Sequence, residues 1–168
     1  GINPSLWSAA VNAHFARPGN RFWPALAAAG ITPHVIDASG GMSASDVEVL
    51  TRAGVGITNL VNRATARAAE LNRAELRVGV QRLERLVTEH RPRVVAVAGI
   101  TAFRTAFNRP KAQVGLQGGD FAGAALFVVP NPSGLNAHET ISTLATAYRA
   151  AADAAQPGAH RPGAVPDA

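Results

Sequence analysis

Val94-Val95-Ala96-Val97-Ala98-Gly99-Ile100-Thr101 is an unbroken apolar run that stops at a glycine and leads into a helix start. Five apolar residues without polar alternation describe a strand buried on both faces. Such a strand belongs inside a parallel sheet, and a helix from Thr101 to about Phe107 supplies the crossover that parallel pairing needs. Just upstream, Leu76, Val80, Leu83 and Val87 recur at helical spacing within Ala74 to His90, with Arg and Glu on the opposite face. Just downstream, Gln113 to Leu116 and Ala124 to Pro130 predict a hairpin turning in the Gly118-Gly119 region.

The same alternation extends outward. Asn20 caps a predicted helix from Arg21 to Ala29 that tolerates Pro24 in its first turn and stops at Gly30. Ser45-Asp46-Val47-Glu48 fits a capping box for a helix ending by Gly54. Gly56 to Val61 is predicted as a strand, and His138 to Ala155 as the last helix with Asn136 and Glu139 as its cap pair. Helices alternating with strands give an α/β fold: a three-layer sandwich with a mostly parallel central sheet and helices on both faces. Residues 1–155 are expected to form a single domain, and 156–168, rich in Pro, Gly and Ala, a disordered tail.

In such sheets ligands bind outside the carboxyl ends of the strands. Asn59-Leu60-Val61-Asn62-Arg63, Gly99-Ile100-Thr101 and Asn131-Pro132-Ser133-Gly134-Leu135-Asn136 each follow a predicted strand. Gly1-Ile2-Asn3-Pro4-Ser5 is a similar turn-forming segment, and its strand is expected upstream of the sequence as given. Four distant loops are therefore expected to share one rim. The other reading is that these loops carry turn residues for purely structural reasons.

Composition narrows the chemistry. The 168 residues include no cysteine, which excludes disulfides, thiolate nucleophiles and cysteine-ligated metals or clusters. His14, His34, His90, His138 and His160 show no metal-ligand spacing. No P-loop, Gly-x-Gly-x-x-Gly, Ser-x-x-Lys or Gly-x-Ser-x-Gly run occurs. No apolar stretch approaches the roughly 20 residues of a membrane helix, and a cytoplasmic location is expected. A net charge of +5 suits a polyanionic partner, although an Arg-rich proteome would give the same excess.

Four stretches, in this order, carry a resemblance: Gly1 to Ser5, Pro18-Gly19-Asn20-Arg21-Phe22-Trp23, Gly56 to Arg63 and Asn131 to Asn136. The chain resembles the mismatch-specific uracil-DNA glycosylases, the bacterial branch of the thymine-DNA glycosylase family. The resemblance implies a monomeric, monofunctional hydrolase without metal or cofactor. Its substrate would be uracil opposite guanine in duplex DNA, with thymine and damaged pyrimidines as further candidates. Catalysis would proceed by base flipping and water attack. A non-catalytic module that binds damaged DNA or a small molecule is the rival.

By the same resemblance, Asn3 positions the attacking water. Its amide oxygen accepts a hydrogen bond but cannot act as a strong base, so positioning and stabilisation of the departing base anion carry the rate. Gly1, Ile2, Ser8 and Phe15 match the base pocket. Phe15 would be the stacking surface, and an ordinary core aromatic is its alternative reading. Asn131, Pro132, Ser133, Gly134, Leu135 and Asn136 match the intercalation loop with Leu135 as wedge, while Gly134 and Asn136 face the widowed guanine. His138 is placed to reach a phosphate. Four positions depart from the family pattern: Ser5 replaces a usual Gly, Asn62 a frequent Asp, Ile100 an often basic residue and Ala137 an Arg of some relatives. Asn62 remains a candidate auxiliary residue that cannot take a proton.

Overall fold

A computed structural model describes residues 1–158. The apolar run becomes strand β1, Val94–Ala98, and helix α5, Ile100–Ala106, follows directly. Helix α4, Arg73–His90, begins at a capping box in which the Asn72 side chain accepts from Glu75 N–H and Glu75 accepts from Asn72 N–H. Its buried stripe of Leu76, Gly79, Leu83 and Val87 matches the predicted face, with glycine at one position.

β1 pairs in parallel with β3, Ala124–Val129, and β3 pairs antiparallel with β2, Gly115–Phe121, giving the order β1-β3-β2. The sheet is therefore mixed rather than mostly parallel. The hairpin turns at Ala122-Gly123, not at Gly118-Gly119. Both turn residues have positive φ, 51° and 85°, and Asp120 accepts from Gly123 N–H at 2.7 Å. That acceptor secures the tight turn, and the two earlier glycines are absorbed into β2 where its register shifts between Leu116 and Asp120.

The predicted strand at Gly56 to Val61 is extended backbone outside the sheet. It finds only a two-residue ladder: Gly1 donates to Thr58 O, Leu60 N–H to Gly1 O and Val61 N–H to Ile2 O. These three backbone bonds fall short of a strand.

Helix α1, Leu6–Ala10, had no signal in its apolar–polar pattern; Ser5 starts it by accepting from Ser8 N–H at 3.1 Å. Helix α2, Phe22–Ala28, starts one residue later than predicted: Arg21 takes the N-cap position without a side-chain cap bond, and Asn20, one residue further out, accepts from Phe22 N–H at 2.9 Å. Helix α3, Ala44–Arg52, takes its capping box from Ser43 and Asp46, two residues before the predicted cap. Helix α6, Ile141–Ala154, starts three residues later than predicted. Thr140 and Thr143 cap it, because Asn136 is committed to the preceding loop. His138 accordingly lies in that loop, outside the helix.

The sheet separates two apolar layers. Val97, Leu126 and Val128 pack with Leu76, Leu83, Val87 and Phe103 of α4 and α5. Ala98 and Val129 pack with Trp23, Leu26, Leu50, Leu144 and Tyr148 of α2, α3 and α6. Helices thus cover both faces. Of the predicted tail, 159–168 lie outside the described residues.

Gly79 shows how close these layers come. A Cβ there would collide with the Leu60 carbonyl oxygen, a backbone atom that cannot swing away. Gly79→Ala gains up to about 1 kcal/mol of helix propensity. Overpacking against backbone costs typically about 1–3 kcal/mol. The variant should be less stable than the parent in urea denaturation, and an unchanged or raised midpoint would contradict the packing described.

Candidate active site

Parallel register brings β1 and β3 to a level end, with Ala98 opposite Val129 and Gly99 N–H donating to Val129 O at 2.9 Å. The loops that follow are therefore neighbours. A Cβ on Gly99 would lie 3.8 Å from Ile2 and 3.9 Å from Asn131. Gly1 in turn sits against Asn59 and Phe15: a Cβ there would lie 2.7 Å from Asn59 Oδ1 and 3.2 Å from the Phe15 ring. The four loops read from the sequence do converge.

Asn3 is held by one end of its amide. Nδ2 donates to Arg63 O at 2.9 Å and to Thr65 Oγ1 at 2.7 Å. The Thr65 hydroxyl gives its own hydrogen to Arg67 O at 2.8 Å, so it faces Asn3 as an acceptor. That identifies the bound end as the nitrogen and uses both its hydrogens. Oδ1 is left without a protein donor among the described residues, an uncommitted acceptor on a fixed amide.

The loop carrying these acceptors is itself anchored. Arg63 donates to Glu75 at 2.7 and 3.1 Å and to Glu70 O at 3.1 Å. One carboxylate therefore caps α4 and holds the loop that holds Asn3. The Arg63 guanidinium and then the Asn72 N–H pull the Glu75 pKa down to about 2.

Phe15 has a left-handed backbone, φ 52°, a conformation costing an ordinary residue about 1–2 kcal/mol. Its neighbour Ala16 is pinned by donation to Ser8 Oγ at 3.1 Å. The ring is half-buried and stacks on Phe22 at 3.9 Å and 20°. Ser8 is buried; its N–H goes to Ser5 and its carbonyl to Ala13, so its visible work is to fix the turn that carries Phe15. Ser5, in the usual place of a glycine, is the α1 cap. His14 receives Asn59 Nδ2 at 3.4 Å, and burial lowers its pKa, which favours the neutral ring.

Asn131 to Asn136 form a loop whose root is buried at Pro132 and whose tip is exposed. Leu135 is 79% exposed, the most exposed of the large apolar side chains. The loop lies on the backbone of Gly19, where a Cβ on Gly134 would come within 2.6 Å of Gly19 O. Asn131 accepts from Ser133 N–H, and Asn136 donates to Asn131 O. His138 is exposed and donates only its backbone N–H, to Asn136. Asn62 is exposed beside a shallow groove of about 220 Å³ against α4. Ile100 packs into the α4–α5 layer and Ala137 is exposed.

The model of the uracil DNA glycosylase superfamily matches residues 1–154. The chain belongs to that superfamily. Members of that superfamily are DNA glycosylases, hydrolases of DNA repair that act on DNA. Among the described residues no helix is long and apolar enough to cross a membrane, and no three His, Asp or Glu side chains cluster as metal ligands would.

Residue pattern alone missed the supports. Thr65 carries no sequence signal, being one hydroxyl in a polar loop. Asn59 and Arg21 lay within stretches singled out above, yet nothing in the pattern showed what they touch. Glu75 was readable only as a helix residue.

A carboxylate with a depressed pKa favours the folded state when ionised, so the Glu75 contribution is complete above the ordinary carboxylate value and disappears as pH falls toward about 2. Denaturation between pH 5 and 2 should show less pH dependence in Glu75→Gln than in the parent. Parallel curves would remove the Arg63–Glu75 anchor.

Proposed function

We propose that this chain is a mismatch-specific DNA glycosylase of the thymine-DNA glycosylase branch, excising uracil paired with guanine in duplex DNA. Thymine and damaged pyrimidines are further candidate bases. The reading is carried by one observation: both hydrogens of the Asn3 amide are occupied while its oxygen has no donor among the described residues.

In this mechanism Oδ1 accepts a hydrogen from a water molecule and holds its oxygen toward the sugar C1′. The C1′–N1 bond breaks, the electron pair leaves with the base as a delocalised anion, and the water oxygen bonds C1′. The water's proton is lost to solvent, and the products are the free base and an abasic site. Asn3 contributes geometry rather than basicity, and electrostatic stabilisation of the base anion supplies the larger share. The extruded base lies on the Phe15 ring beside Gly1 and Ile2, the ring being backed by Phe22. Stacking of this kind is worth about 1–3 kcal/mol per base and offsets part of the cost of flipping.

Leu135 fills the vacated place in the duplex, with Gly134 and Asn136 against the widowed guanine and His138 toward the phosphates. Asn62, exposed and unable to accept a proton, is at most an auxiliary hydrogen-bonding group. The one lysine, Lys111, lies outside these motifs, so no Schiff-base lyase step is expected.

A labelled duplex with one guanine–uracil mispair, incubated in EDTA and treated with hot alkali, tests the reading. The parent should yield strand breaks, and Asn3→Ala should reduce the rate by about 100-fold or more while binding persists. Absence of cleavage by folded parent would favour a non-catalytic damage-binding module. Leu135→Ala should keep its fold and weaken binding to the mispaired duplex by about tenfold. Equal binding by variant and parent would remove the wedge role.

A further inference from the structure

Arg21 is a guanidinium with no carboxylate partner among the described residues. Its backbone N–H donates to Pro132 O at 2.9 Å. Nη2 donates to Ser133 O and Asn136 O, each at 2.6 Å, and Nη1 donates to Glu139 O. Four carbonyls spread over eight residues of one irregular loop therefore converge on one residue. Its Nε is buried without a partner among the described residues. A buried donor left unpaired is unfavourable, so the side chain is not placed to satisfy itself.

The loop gains most from this contact. Residues 132–139 lie outside any helix or strand; within the loop Asn136 N–H donates to Ser133 O at 2.9 Å and Glu139 N–H to Asn136 O at 3.5 Å, and Arg21 adds a second donor to each of these carbonyls and reaches those of Pro132 and Glu139 as well. A planar fork of five N–H groups meets several carbonyls at fixed angles, which the single ammonium of lysine cannot do. With the carbonyls drawn inward over the Gly19 backbone, the side chain at the tip is turned outward. The 79% exposure of Leu135 follows from that arrangement. The next residue, Phe22, stacks on Phe15 at 3.9 Å. Two adjacent residues at the start of α2 thus touch the loop and the ring.

We propose that Arg21 is the positioning residue of the wedge: it preforms the Ser133 to Glu139 loop and sets Leu135 in register with the Phe15 ring. This rests on the wedge reading of Leu135 given above. Preforming the loop removes an ordering cost that would otherwise fall on binding and flipping. Arg21 touches neither base nor sugar in this role, and its effect reaches the reaction through Leu135.

A double-mutant cycle on the guanine–uracil duplex tests this, with single-turnover cleavage at subsaturating protein as readout. Arg21→Lys keeps the charge and loses the fork. It should slow cleavage about tenfold, and in the Leu135→Ala background it should add less than about twofold, because its effect passes through that side chain. Independent, multiplicative losses would overturn the proposal and leave Arg21 a general stabiliser. Unchanged cleavage in Arg21→Lys would overturn it as well.

Amide exchange supplies a readout independent of activity. Exchange at Asn136 and Glu139, whose amides bond within the loop, should quicken in Arg21→Lys while Leu144 to Ala154 of α6 stay protected. Unchanged loop exchange would overturn the preforming role even if cleavage fell. A parent that cleaves no uracil duplex, with loop exchange still accelerated in the variant, would sink the uracil reading and support the Arg21 clamp.

Discussion

The site depends on the level ending of two parallel strands. Because Ala98 stands opposite Val129, the chain leaves both strands at the same height and Gly99 meets Asn131 across the gap. A slip of one residue in a strand buried on both faces would turn each side chain into the wrong layer. Val97 and Val128 belong to the α4–α5 layer, Ala98 and Val129 to the α2–α6 layer, and this division locks the register. The rim on which the loops meet is thus a consequence of core packing.

From that rim outward, each candidate functional group is held by bonds between a side chain and the backbone or a neighbouring hydroxyl rather than by other candidate groups. Asn3 hangs on the Arg63 carbonyl and the Thr65 hydroxyl, Phe15 on the Ser8–Ala16 contact, and the Leu135 loop on Arg21. Such supports act in one direction: they settle where the side chain starts and leave its reactive face uncommitted. In the proposed mechanism an amide that cannot ionise needs this treatment more than a carboxylate would, since accurate placement is its main contribution.

Charge is used sparingly and locally. Glu75 caps α4 and grips Arg63 with the same carboxylate, so the start of the longest helix and the loop behind Asn3 form one mechanical unit. Arg21 is spent on carbonyls instead of on an anion. The overall excess of positive charge, +5, suits DNA, but the pairs that shape the site work at hydrogen-bond range.

The sequence by itself determined the strand at Val94–Ala98, the long helix beginning at Asn72-Arg73, the α/β class and the set of loops that meet; the burial expected along the whole strand is confined to Val97 and Ala98, because β1 ends the order β1-β3-β2. Each rests on local periodicity or on the fixed geometry of parallel crossovers. It also pointed to Asn3 and Leu135, because their turn segments follow a recognisable order. Where the pattern erred, a competing local bond decided. Asp120 secured the turn at Ala122-Gly123, Thr140 took the cap expected of Asn136, and the backbone bonds of Gly56 to Val61 with Gly1 and Ile2 fell short of a strand. Only the tertiary structure decided which hydroxyl orients the Asn3 amide, which carboxylate holds the loop behind it and which arginine meets the carbonyls of the Leu135 loop. Thr65, Glu75 and Arg21 act on residues roughly 60, 12 and 112–118 positions away. Contacts at that separation leave no period in the chain, since they arise only when the packed layers bring the loops together.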